Sequence, residues 1–230
     1  MKLPKGQPTS EGIYSCLPIF PLQEVHLFPE TLLPLHIFEP RYRQMIQDSL
    51  KAESLIGIIL PDLKEDPKAY EPALLKMGGV GKIQYHELLE DGRYNIILQG
   101  IEKFELLEEL KLSDILYRAV RARALKDSTT ISHSDEKLIR QELLSAFSLT
   151  FSPFYPDKIL SISDDISLEK FVNLVASSLK ISAHLKQELF EMDNIEDRSI
   201  QILRVLYEST NPQRFYRRIR QSKPSTGNMN

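Results

Sequence analysis

Only one cysteine, Cys16, stands in the 230 residues of this chain, which excludes an internal disulfide and a cysteine-built zinc site. A lone thiol suits a reducing cytoplasm, where the protein is expected to reside. No stretch approaches the roughly 18 apolar residues needed to span a bilayer. The start, Met1-Lys2-Leu3-Pro4-Lys5-Gly6, leads into polar residues, so no signal peptide is expected. An excess of positive charge is also missing. The net charge of −3 gives no general attraction to nucleic acid or to an anionic membrane. What remains is an ordinary globular composition, 42% apolar and 27% charged, able to bury a real core. The length allows one large domain or two small ones.

Patterns that carry chemistry are equally scarce. His26, His36, His86, His133 and His184 lie far apart and never at i, i+4 on one predicted helix, so no metal-ligand spacing arises. His36, between Leu35 and Ile37, is read as facing outward or holding a core hydrogen bond. Ser15-Cys16 has no nearby histidine and no glycine elbow to make a nucleophile. The adjacent pairs Glu108-Glu109 and Asp164-Asp165 diverge, as solvated charges do. Gly78-Gly79-Val80-Gly81-Lys82-Ile83 imitates a phosphate-binding loop, but Lys76 stands where its first glycine belongs and Ile83 where a Ser or Thr would bind magnesium. It is read as a glycine bend entering a strand. No catalytic, cofactor-binding or metal-binding residue is assigned, no cofactor is expected, and the binding residues are left open.

What the chain does have is proline in one place. Pro18, Pro21, Pro29, Pro34 and Pro40 interrupt an otherwise apolar, β-prone run. Each fixes φ and removes a backbone donor, so neither a long helix nor a central strand is expected to pass through them. Short extended pieces joined by tight corners are expected instead. They end where Glu39-Pro40-Arg41-Tyr42 can open a helix, with proline tolerated in its first turn.

Downstream, the first half reads as strand. Residues 54–60 are a short apolar run stopped by Pro61, and residues 61–73 are polar and loop-like. Residues 77–89 and 94–106 flank Glu90-Asp91-Gly92-Arg93, which favours a tight hairpin turn. Residues 117–124 place Val120, Ala122 and Ala124 on one face and Arg121 and Arg123 on the other. The period then changes. Ser132 and Ser167 precede helical stripes, the clearest being Phe171, Leu174, Val175 and Leu179; Leu185, Leu189 and Phe190 form another, and Ile200, Leu203, Leu206 and Tyr207 a fourth. The expected organisation is a β-rich domain over residues 1–125, a helical subdomain over 126–221, and a disordered tail over 222–230.

The succession of Leu17-Pro18-Ile19-Phe20, the Phe28-Pro29 corner, Pro34-Leu35-His36-Ile37-Phe38-Glu39 and the Arg41-Tyr42 helix resembles the N-terminal, substrate-binding domain of the ATP-dependent protease Lon. The closest likeness is to small bacterial proteins that carry this domain alone. Gly79 to Ile83, Ile97 to Phe104, and Leu189 to Asp193 followed by Arg198 extend the resemblance over nearly the whole chain. Two residues depart from it. Glu30 stands where the corner usually has glycine, and Lys103 replaces the usual arginine before Phe104, keeping the charge and losing bidentate geometry. The resemblance implies an α+β fold, a PUA-like β pseudo-barrel followed by a C-terminal helical bundle. It also implies non-catalytic recognition of unfolded or partly folded polypeptide. The ATPase and protease domains of full-length Lon have no counterpart in these residues, so neither activity is implied.

The alternative is an RNA-binding module, since PUA-like barrels often bind RNA. Residues 1–124 carry 15 Lys and Arg against 18 Asp and Glu, which leaves the barrel without a basic stripe. The cationic cluster Arg214, Arg217, Arg218, Arg220 and Lys223, with Phe215 and Tyr216, is read as the last turn of a helix rather than a nucleic-acid patch.

Overall fold

The computed structural model describes residues 8–63, 71–128, 132–151 and 166–210. The strands are β1 (Ile13–Pro21), β2 (Leu32–Ile37), β3 (Leu55–Pro61), β4 (Leu74–Leu88), β5 (Tyr94–Leu110) and β6 (Arg118–Leu125). The helices are α1 (Pro40–Leu50), α2 (His133–Phe151), α3 (Leu168–Ser178), α4 (Ala183–Glu191) and α5 (Ile195–Thr210). The fold is α+β, a mixed sheet followed mainly by helices.

β5, β4, β3, β1 and β6 are hydrogen-bonded in that order, and β6 returns to β5, so five strands close a ring. The length of β5 makes this possible. Along one edge it pairs with β4; along the other, residues 94–99 pair with β2 and residues 103–110 with β6. β2 is thus an added edge strand outside the ring. Each ring strand contributes to one apolar cluster, with Tyr14, Leu17, Ile59, Val80, Phe104 and Val120 among its members. A second cluster lies under α1, whose buried Tyr42, Met45, Ile46 and Ser49 follow helical spacing and meet Ile37, Ile56, Ile83 and Ile96. Burying such side chains fully stabilises by about 1.5–3 kcal/mol each.

Pro18 corrects one expectation, because it lies inside β1, a ring strand with neighbours on both sides. The register supplies the reason. β3 pairs with β1 only from Ile19 to Pro21, whereas β6 pairs from Ile13 to Ile19. At Pro18 the strand is locally an edge, where a missing N–H is tolerated. The glycine-rich segment is also no bend, since residues 78–82 are paired on both edges within β4. Glycine is needed there for close approach: a Cβ on Gly79 would run into the Leu27 carbonyl, and one on Gly100 into the Phe28 carbonyl.

That Leu27–Phe28 segment ends in a left-handed corner. Glu30 takes φ 60°, so the corner keeps the conformation that glycine would favour. It is pinned by Glu30 N–H to Gly100 O, 2.8 Å, and by Thr31 Oγ1 to Phe28 O, 2.8 Å.

The chain groups into two compact units, Met1–Asp127 with Ala176–Asp193, and Ser128–Val175 with Asn194–Asn230. In the first, α4 accompanies the strands: Phe190 meets Phe28 edge-on at 5.1 Å, and Gln187 Nε2 donates to Met77 O at 3.3 Å. In the second, α2 and α5 pack together, Tyr207 OH donates to Glu142 at 3.1 Å, and buried Arg198 donates to Asn173 at 2.7 Å. Ser132 and Ser167 cap α2 and α3 through their Oγ atoms, as expected.

Candidate functional site

The outer face of β2, β5 and β4 is built by alternation and one irregularity. β2 turns Leu33, Leu35 and Ile37 inward and leaves Leu32, Pro34 and His36 outside; β5 buries Tyr94, Ile96 and Leu98 and turns Asn95, Ile97 and Gln99 outward. On β4 a bulge at Gln84 shifts the register, so that Ile83 faces Leu98 but Tyr85 faces Ile97. Tyr85 would otherwise follow Ile83 inward; the extra residue re-aims it to the surface. Pro34, Ile97 and Tyr85 therefore form an apolar row across three strands. They share a shallow cavity of about 400 Å³ with His36 and Asn95. Leu32, Phe38, Tyr85 and Leu88 are all more than half exposed. Beyond Pro34 the edge of β2 has no strand partner among the described residues.

The next row is polar and closed on itself. Asn95 Nδ2 donates to Glu87 at 3.0 Å, which points its Oδ1 at His36 Nδ1, 2.8 Å away. His36 must then carry its proton on Nδ1, leaving Nε2 to accept from Arg93 at 3.1 Å. Asp91 completes the row, 2.6 Å from Arg93. Here His36 faces outward, the first of the two readings its sequence position allows, and is fastened rather than free.

A second concavity, of about 500 Å³, lies in the same unit beside α4. Leu60, Leu63 and Leu75 line it together with Glu24, Asp62, His184, Gln187, Glu188 and Glu191. Near it His26 sits 6.0 Å from the Phe190 ring. Burial, and secondarily the charge of Lys186, lowers its pKa to about 4. A polar contact with Gln187 offsets this in part without completing a hydrogen bond: both ring nitrogens of His26 and Oε1 of Gln187 are buried and unpartnered.

The remaining residues singled out from sequence are structural. Lys103 is buried, its Nζ 2.6 Å from Asp127, 3.0 Å from Asp193 and 3.1 Å from Met192 O. All three ammonium protons have acceptors, a geometry that suits lysine rather than a bidentate fork. Arg41 pairs with Glu39 at 2.9 Å, and Tyr42 packs at a tilt of 37° against Phe20 with centroids 4.0 Å apart, fastening α1 to the barrel. Cys16 is half-buried in β1, and burial pushes its thiol pKa up. Glu108 and Glu109 make cross-strand ion pairs with Arg121 and Arg118. His86 is exposed on β4, and His184 is 3.5 Å from Glu188. Asp164-Asp165, the cluster from Arg214 to Lys223 and the side chain of His133 lie outside the described residues. Among the described residues no group of three His, Cys, Asp or Glu is placed to hold a metal, and no helix is long and apolar enough to cross a membrane.

The family model of the ATP-dependent protease La (Lon) substrate-binding domain matches residues 16–208. The Lon protease of Cytophaga hutchinsonii is 28% identical over 204 residues, covering 85% of this chain and 24% of that protein. The Lon protease of Flavobacterium johnsoniae is 24% identical over 201 residues, covering 86% and 24%. The chain thus spans about a quarter of the length of these curated relatives. A Lon N-terminal domain protein from Xanthomonas campestris superposes with a TM-score of 0.60 at 20% identity, over 82% of this chain and 97% of that one. The N-terminal domain of the Mycobacterium avium complex Lon protease gives 0.62 at 14% identity, over 86% and 99%. These structures share the fold.

Proposed function

The chain belongs to the Lon substrate-binding domain family, and from that premise we propose that it is a non-catalytic polypeptide-binding module acting through the outer face of β2, β5 and β4. One observation carries the reading: an exposed apolar row, Pro34, Ile97 and Tyr85, runs up to a strand edge that has no partner among the described residues. An extended segment of an unfolded or partly folded client would lie along β2, with main-chain hydrogen bonds supplying affinity. Its alternate side chains would cover the apolar row. The polar row through His36, Asn95 and Glu87 is already saturated, so it bounds the apolar surface. A shallow site of this kind gives a Kd on the order of micromolar or weaker. The setting we propose is cytoplasmic, in keeping with the single half-buried thiol.

The test is binding of a chemically unfolded model protein to the full chain and to the double variant Tyr85→Ser, Ile97→Thr. Removing about 60 Å² of buried apolar contact should weaken binding about tenfold. The interaction should survive moderate salt, because apolar burial is not screened. A mixed RNA pool serves as the comparison. Tighter binding to RNA that collapses with salt would replace this reading with nucleic-acid recognition.

A further inference from the structure

The concavity beside α4 differs in kind from the outer sheet face. Its floor is apolar, through Leu60, Leu63 and Leu75, and its rim carries the carboxylates Glu24, Asp62, Glu188 and Glu191. Among the described residues that line it there is no lysine or arginine. At about 500 Å³ it falls within the range of cavities that enclose small ligands or a few side chains. Gln187 closes the inner end of the cavity: it is 6% exposed, its Nε2 is held by Met77 O and Glu191, and its side chain meets the His26 ring.

From this charge and this floor we infer that the cavity binds a cationic, apolar-flanked segment of polypeptide. A lysine or arginine side chain reaches the carboxylate rim, and its apolar neighbours settle on the leucines. An acidic segment would meet like charge. The inference rests on the polypeptide-binding reading and adds a second contact site with a preference for charge. Partly exposed ion pairs each contribute about two- to fivefold in affinity, so two of them favour a cationic segment about four- to twenty-five-fold at low salt. The preference shrinks at physiological ionic strength, where the Debye length is about 8 Å.

The experiment measures fluorescence anisotropy of a short labelled peptide of alternating leucine and arginine against its twin with glutamine for arginine. Both are titrated with the full chain at low and at physiological salt. The arginine peptide should bind about four- to twenty-five-fold more tightly at low salt, and the difference should vanish in Asp62→Asn, Glu188→Gln. Glu188 has a half-exposed side chain, so Glu188→Lys is expected to fold, and it should remove the preference as the double variant does. Circular dichroism of each variant reports its folding. Equal binding of the two peptides, or a preference that persists in the variants, overturns the inference and leaves the polypeptide reading standing. Binding of neither peptide, nor of unfolded protein, overturns both. If the full chain binds the arginine peptide only after Arg217, Arg218 and Arg220 are replaced by glutamine, the occupant is this chain's own C-terminal segment and the assignment to a client fails.

Discussion

Lys103 and His26 are basic side chains carried inside the same unit, and their surroundings could hardly differ more. Lys103 projects from the middle of β5, and its ammonium meets Asp127, Asp193 and the Met192 carbonyl. His26 projects from the connection between β1 and β2, packs near Phe28 and Phe190, and has no completed hydrogen bond on either nitrogen. The difference lies in whether the charge can be given up. A lysine ammonium kept inside must have every proton matched, since an unmatched charge there is prohibitive. An imidazole escapes by remaining neutral, at the lesser penalty of bare polar nitrogens.

The largest test of this contrast is Lys103→Met. It strands the fully buried Asp127 carboxylate without its cation and should lower stability by about 3–5 kcal/mol in denaturant unfolding. A loss below about 1 kcal/mol would mean that the three contacts merely fill space.

The second test is pH. The folded-state pKa of His26, about 4, lies below its ordinary value of 6.5, so the unfolded chain binds more protons between them. The stabilisation from keeping His26 neutral is therefore full above about pH 6.5 and is lost as pH falls toward about 4. His26→Phe should flatten the fall in stability between about pH 7 and about pH 5. At neutral pH the same variant should be unchanged or gain up to about 1 kcal/mol, because no bare nitrogen remains. A slope identical to that of the parent chain would place the titration elsewhere. The smallest effect concerns the corner that holds the His26 segment. Glu30→Gly should stabilise by about 0.5–1 kcal/mol by relieving the left-handed φ, as read from thermal melts.

The sequence made these residues unequally legible. Alternation announced the buried face of β6, Asp91-Gly92 announced the hairpin, and Ser132 and Ser167 announced two helix starts, because each signal is local. Glu30 was legible as a conflict between residue type and corner, and the structure resolves it as strain. The outer face was harder to read. Tyr85 stands two residues from Ile83, and nothing nearby says that Gln84 is an extra residue; the bulge exists only relative to β5. The same holds for Pro18, tolerated because β3 begins pairing one residue later. Lys103 looked like a weakened arginine, since its acceptors Asp127 and Asp193 arrive from distant parts of the chain. The carboxylates of the second cavity likewise converge from three separate segments.

The shared role of β5 has a mechanical consequence. β2 is tied to the rest of the sheet through a single ladder, with residues 32–37 opposite 94–99, whereas β5 remains bound along β4 and to β6. A client held on β2, as proposed, and pulled away from it would load that ladder and the packing of Leu33, Leu35 and Ile37 beneath it. Drawn across it, the ladder opens like a zipper, one pair after another, while the ring of β5, β4, β3, β1 and β6 stays closed. The strand proposed to hold the client would thus act as a fuse, able to yield under traction without the barrel coming apart.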